Sequence, residues 1–273
     1  MSKYNELNAR IKSFYEEPVK TRLTRKIPVI LRMDGKAFHT FTRGFKKPFD
    51  PIMRETMMET MKALCENIQG CVFGYEQSDE ITLVLTDFEN ENSSAWLDYE
   101  TQKMCSIAAS MTTLYFNKIF SEKVKNLCNS NEEDEKYIDT MMTAVEKGAM
   151  FDARCFSVPK LSVYDVILAR QIDASKNSIS SVGRTYFSTS ELRNKNTSKV
   201  QDMLMMYHGV NWNNFATEEK RGSCCYKVEK KIESPNAPEG FVMRNKWIID
   251  KNMPLLKETK DPAQRSYIEK FIY

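Results

Sequence analysis

Three observations in the chain predict an α+β fold. Four short apolar runs, at residues 28–33, 71–75, 81–85 and 151–158, have strand composition and length. Helix-patterned stretches separate the first run from the second and the third from the fourth. Only Glu76-Gln-Ser-Asp-Glu80 lies between the second and third runs, too little for anything but a hairpin. The resulting order is strand, helix, strand, strand, helix, strand. That βαββαβ order is the ferredoxin-like, or palm, arrangement, a sheet with helices on one face.

Taken along the chain, residues 3–16 set Tyr4, Leu7, Ile11 and Phe14 at three- and four-residue steps, the stripe of an amphipathic helix. After the first strand, Asp50 is placed to cap a helix that Pro51 opens and that runs to about Asn67. Its methionines, Met53, Met57, Met58 and Met61, read as core packing. Gln69-Gly70 ends that helix. A second long helix is expected from Ser94 to about Phe120, with Ile107-Ala-Ala-Ser110 small enough to pack closely on a sheet. Glu132-Glu-Asp-Glu135 reads as a solvated turn. Residues 161–189 are expected to be mostly helical, with a further helix near 199–207 and a β-hairpin from 224–228 and 241–249. The chain therefore divides into a palm-like catalytic domain, 1–160, and a C-terminal helical and hairpin extension, 161–273, packed on the same domain.

Composition narrows the class. A hydrophobic content of 41% with 28% charged residues is that of a folded soluble protein. The net charge of +3 does not announce strong non-specific nucleic-acid binding, so any RNA surface must be a local patch. Seven scattered cysteines without a CxxC pair, and only two histidines, argue against structural zinc and for free thiols in a reducing cytoplasm. The polar N-terminus lacks a signal-peptide core, and no apolar run approaches the ~20 residues of a membrane span.

Chemistry concentrates in two stretches. Asp34 follows Val29-Ile-Leu31 and Asp79 follows Cys71-Val-Phe73, so each carboxylate ends a strand. Either stretch alone reads as an ordinary strand end or hairpin turn. Together on neighbouring strands, two acids beside a glycine suit a hard, oxygen-ligated ion such as magnesium. Lys36, Arg43, Lys46 and Lys47 lie within a few residues of the first acid. Acid for a metal and base for phosphates is what phosphoryl or nucleotidyl transfer needs.

Arg32-x-Asp-Gly-x-x-Phe-His-x-Phe41, Lys47-Pro48, Gly74-Tyr-x-Gln-Ser-Asp-Glu80 and Phe151-Asp-x-Arg154 resemble the tRNA(His) guanylyltransferase superfamily. So do Arg170-Gln-x-Asp173 and Gly209-Val-Asn-Trp-Asn213, in the family's order over residues 3 to 230. The resemblance implies a magnesium-dependent nucleotidyltransferase that adds nucleotides to the 5′ end of tRNA. It makes Asp34, Asp79 and the Gly35 carbonyl ligands of two magnesium ions. It also makes Asp34, Gly35, Lys36, Ala37, Phe38 and His39, with Ser78 and Asp79, the nucleotide-binding strand end and turn. Lys47, Lys103 and Arg154 are implied around triphosphates, with Lys47 joining the two aspartates as catalytic. ATP, GTP or other nucleoside triphosphates would be substrates, and the family is commonly tetrameric.

Two departures from the family pattern matter. Where eukaryotic guanylyltransferases have Cys-His-x-Asn-Asn-Leu-Tyr-Asn, this chain has Ala174-Ser-Lys-Asn-Ser-Ile-Ser-Ser181. The basic residue expected three positions before Lys103 is Glu100. Both resemble the guanylyltransferase-like branch, which repairs truncated tRNA by template-directed 3′-to-5′ addition. That repair activity is the expected function. The alternatives are a dedicated tRNA(His) guanylyltransferase, a nucleotide cyclase, and a non-catalytic RNA-binding palm module, which would have no use for paired acids.

Overall fold

The computed structural model describes residues 3–130, 133–233, 241–259 and 261–272. Its centre is a six-stranded antiparallel sheet in the order β4-β1-β3-β2-β5-β6. The strands are β1 (Val29–Gly35), β2 (Cys71–Gln77), β3 (Glu80–Leu85), β4 (Phe151–Ser157), β5 (Ser223–Glu233) and β6 (Phe241–Asp250). The first four reproduce the βαββαβ palm, with β3 inserted between β1 and β2. The predicted C-terminal hairpin is present, and β5 pairs with β2 from Phe73↔Tyr226 to Glu76↔Ser223. The segment after residue 160 thus extends the sheet built by the first 160.

The helices are α1 (Lys3–Ile11), α2 (Phe38–Phe41), α3 (Pro51–Asn67), α4 (Thr101–Ser130), α5 (Glu135–Lys147), α6 (Val163–Tyr186), α7 (Thr189–Leu192), α8 (Thr197–His208), α9 (Thr217–Arg221) and α10 (Pro262–Glu269). Val29, Leu31 and Met33 of β1 point to the face covered by α3 and α4, where Met57, Met61, Met104 and Ala108 are fully buried. The methionine stripe is core, as its spacing predicts. Ile30 points to the opposite face, where Val84, Phe73 and Tyr75 meet Val163, Tyr164 and Ile167 of α6 and Ile268 of α10. The palm helices share one face, and the extension closes the other. Each fully buried aliphatic or aromatic side chain contributes about 1.5–3 kcal/mol, so both layers hold the sheet.

Four expectations need correction. The long helix begins at Thr101, not Ser94, and continues to Ser130. Before it, Leu97, Asp98 and Tyr99 take left-handed φ of 51°, 54° and 52°, a break that buries both Trp96 and Tyr99. Of the small segment 107–110, Ala108 packs on the sheet while Ile107 faces solvent. The acidic stretch is not only a turn. Glu132 lies outside the described residues, Glu133 pairs with Lys46, and Asp134 is the N-cap of α5, a helix the periodicity reading omitted. The stripe of the first helix stays exposed at Tyr4, Leu7, Ile11 and Phe14, and the helix widens to a π turn over Lys12–Glu16.

Candidate active site

The end of β1 carries Asp34 opposite Glu80 of β3 and opposite Asp152 of β4. One residue further, the Gly35 amide donates to the Asp79 carbonyl at 3.1 Å, which fastens the β2–β3 turn to the β1 end. Ser78 supplies the positive φ, 56°, that a tight two-residue hairpin turn uses. Asp34 and Asp79 are thereby brought together by backbone geometry. Burial pushes the Asp79 carboxyl above the usual aspartate range, and the charge of Asp34 adds to the push. The nearest counter-ion to Asp34 is Arg154, at 3.8 Å, and that guanidinium also holds Asp152 at 3.1 Å.

An acid pair of this kind fits a hard cation. Among the described residues, no group of three or more His, Cys, Asp or Glu is gathered as a metal site. Magnesium suits a donor set of two carboxylates and a backbone carbonyl, since it keeps waters and takes its remaining ligands from substrate phosphates.

Beside the acids opens a cavity of about 660 Å³, within the usual size of a small-molecule site. Of the residues predicted for the site, Asp34, Gly35, Ala37, Phe38, His39, Lys47, Ser78 and Asp79 line it. Lys36 does not; its side chain is exposed, and its amide donates to the Met150 carbonyl. Arg154, held by Asp152, does not either, and neither does Lys103. It lies near the start of α4, exposed, with its ammonium 3.2 Å from Glu100. Lys103 and the family-departing Glu100 therefore satisfy each other.

The Asp34-Gly35 pair has a packing reason that sequence alone did not give. A Cβ on Gly35 would stand 2.2 Å from Cδ2 of Phe38, closer than any real contact. Phe38 is buried against Phe41, Phe116 and Phe151 at ring separations of 5.1, 5.6 and 5.0 Å. Ala37, at φ 55°, turns the chain back so that this ring lies under Gly35. The Lys47 loop is fixed by Asp50, whose carboxylate caps α3 through the Met53 amide at 3.0 Å. It also accepts from the Lys46 amide at 3.1 Å and the Tyr137 hydroxyl at 2.7 Å. An N-cap of this type contributes about 1 kcal/mol.

The extension supplies the rest of the wall. Asn177, Ser181 and Arg184 of α6 line the cavity, so the segment that departs from the family pattern faces it with small polar groups. The Arg170-Gln-x-Asp173 motif is a brace. Arg170 bridges Glu80 at 3.2 Å and Asp173 at 2.6 Å, and the Gln171 side chain is bonded to Pro254 and Leu256 backbone. Sequence reading missed Glu76, Arg54, Glu218, Glu219 and Arg221. Glu76 accepts from the Ser223 hydroxyl at 2.6 Å, and burial pushes it up to about 7. Arg54 pairs with Glu219 at 2.9 Å and Glu218 at 3.5 Å. Glu76 stood inside a quoted motif; its partners, from β5, α3 and α9, meet it only through the fold.

Residues 8–159 match the family described as Thg1: tRNAHis guanylyltransferase. A probable tRNA(His) guanylyltransferase of Dictyostelium discoideum is 24% identical over 261 residues, 91% of this chain and 92% of that protein. A solved bacterial tRNA(His) guanylyltransferase (Thg1)-like protein in complex with ATP is 34% identical, with a TM-score of 0.79 over 98% of this chain and 99% of that one. The same description in complex with GTP gives 32% identity and a TM-score of 0.75, covering 98% and 99%. The tRNA(His) guanylyltransferase of Saccharomyces cerevisiae, at 19% identity and a TM-score of 0.60 over 86% and 94%, shares the fold. With the palm, the acid pair and this match over more than half its length, the chain belongs to the tRNA(His) guanylyltransferase family of nucleotidyltransferases.

Proposed function

We propose that this protein restores missing 5′ nucleotides on truncated tRNA by template-directed 3′-to-5′ addition. The observation that carries the reading is the convergence of Asp34 and Asp79 on a cavity bordered by Lys47, Arg184 and Arg221. The solved relatives hold ATP and GTP, which supports nucleoside triphosphates as substrates here. Two magnesium ions held by Asp34, Asp79 and the Gly35 carbonyl would neutralise the phosphates and activate the attacking hydroxyl. Lys47, from the cavity wall, and Arg154, from beside Asp34, would bring positive charge to the phosphates. Arg170 keeps Glu80, and with it the hairpin turn, in place.

Template pairing fits the small polar wall of α6. Ser178 and Ser181 present no ring to an exposed base, and Arg184 beside them suits backbone phosphate, which carries no sequence. Base choice then falls to the opposing strand. A dedicated tRNA(His) guanylyltransferase is the second reading, favoured by the name of the matching family. The seven unpaired thiols support a reducing, cytoplasmic setting. The exposed stripe of Tyr4, Leu7 and Phe14 supports a homo-oligomer, a tetramer by resemblance. No described helix is long and apolar enough to cross a membrane.

The test is a matrix of tRNAs of several identities, each lacking one 5′ nucleotide, offered each nucleoside triphosphate. The added residue should follow the opposing base whatever the anticodon. Addition of G alone, opposite A, to full-length tRNA(His) and dependent on its anticodon would replace repair with the second reading.

A further inference from the structure

We propose that the C-terminal ends of α6 and α8 form a stacking platform for unpaired RNA nucleotides beside the catalytic cavity. This rests on RNA being the substrate and says where a single strand lies. The first observation is a cluster of rings open to solvent. Tyr186 is 40% exposed and Tyr207 66%. His208 is exposed too, with its ring 4.9 Å from that of Tyr186 and 5.0 Å from that of Phe187. Phe187 in turn lies 6.3 Å from Tyr207. Exposed rings held in register by one another offer π faces to bases of any identity.

The second observation is charge. Arg184 stands two residues before Tyr186 on α6 and shares a cavity wall with Arg193, and neither forms an ion pair among the described residues. The neighbouring carboxylate, Glu191, is committed to the Ser188 amide and hydroxyl at 2.8 and 2.7 Å. Exposed rings beside unpaired arginines are the composition of a single-strand groove.

The third observation is continuity. Arg184 and Arg193 line a second cavity of about 610 Å³, and Arg184 also lines the catalytic one. A strand whose phosphates follow Arg193 and Arg184 would be led toward Asp34 and Asp79. The platform is also anchored, because Val182, Val200 and Leu204 beneath it pack with Phe49 of the cavity wall.

The experiment uses the full chain and a labelled single-stranded RNA hexamer, with a blunt RNA duplex as control, read by fluorescence anisotropy. Tyr186→Ala combined with Tyr207→Ala should weaken hexamer binding by roughly 5- to 150-fold, the loss of stacking for one base, and leave the duplex nearly unchanged. Arg193→Ala should weaken both and lower the salt dependence by about one phosphate contact. Melting temperature should not move, since both tyrosines are exposed. Unchanged hexamer affinity in the double variant overturns the platform. So does a change in oligomer mass by sedimentation without a change in RNA affinity, which would make the patch a subunit contact. Because binding needs no turnover, ring-dependent hexamer binding by a protein that fails to repair truncated tRNA would still support the platform. Normal repair with ring-independent hexamer binding removes the platform alone.

Discussion

Replacing Gly35 with alanine would put a methyl group 2.2 Å from Cδ2 and 2.4 Å from Cε2 of Phe38. Ordinary contact begins near 3.4 Å, so the ring or the strand end must move by more than an ångström. The ring cannot retreat freely, because Phe41, Phe116 and Phe151 surround it at 5.0 to 5.6 Å. Overpacking of this kind costs about 1–3 kcal/mol. For a chain of this size that lowers the melting temperature by roughly 2–12 °C. Strain resolved instead by the backbone would displace Asp34, the preceding residue, and lower turnover with less loss of stability. Thermal melts and nucleotide-addition rates for Gly35→Ala, Phe38→Leu and the double variant separate the two routes. The smaller leucine should accept the methyl group, so the double variant should be little worse than Phe38→Leu alone, a coupling of about 0.5–3 kcal/mol. Additive losses, or a Gly35→Ala protein with unchanged melting and rate, would refute the packing explanation.

Glu76→Gln should stabilise the protein at pH 8 and leave it unchanged near pH 4. The folded carboxyl is raised from 4.5 to about 7 by burial, so its contribution to stability is full below 4.5 and is lost as pH rises through 7. At about 1.4 kcal/mol per unit the gain is a few kcal/mol at most, read from urea melts across that range. Arg170→Met should cost about 1–3 kcal/mol at pH 7, because it leaves the buried Glu80 carboxylate without its cation. Its penalty should shrink as the pH falls and Glu80 is protonated. Lys47→Ala should keep its melting temperature and lose nucleotide affinity, whereas Lys103→Ala should keep both, since its ammonium faces Glu100 outside the cavity. Isothermal titration with ATP and GTP distinguishes the pair.

What was legible in the sequence was local. Pro51 and Asp50 announce α3 because fixed φ and side-chain capping act within one turn. The β2–β3 hairpin follows from two apolar runs joined by a short link. Asp34 and Asp79 could be matched because each lies just past an apolar run, Asp34 at the end of β1 and Asp79 in the β2–β3 turn. What stayed hidden depends on residues far apart in the chain. Trp96 and Tyr99 break a helix pattern to reach the core. The polar turn at Gly222-Ser223 gives no sign that β5 will lie beside β2 and bring Ser223 to Glu76. The resemblance sets Lys103 at the triphosphates, and only the fold shows its ammonium turned to Glu100. The packing demand on Gly35 was not legible, since the ring that excludes a Cβ is folded back beneath it.

We propose Asp34 and Asp79 as the centre of nucleotidyl transfer. Single-turnover addition of one labelled nucleotide to a 5′-truncated tRNA, with Asp34→Asn and Asp79→Asn beside the unaltered protein, tests it most directly. Both variants should melt at or above the normal temperature, because each removes one of two acids that repel each other. Both should lose addition by several orders of magnitude while still binding tRNA. Near-normal addition by either variant would place the chemistry elsewhere in the molecule.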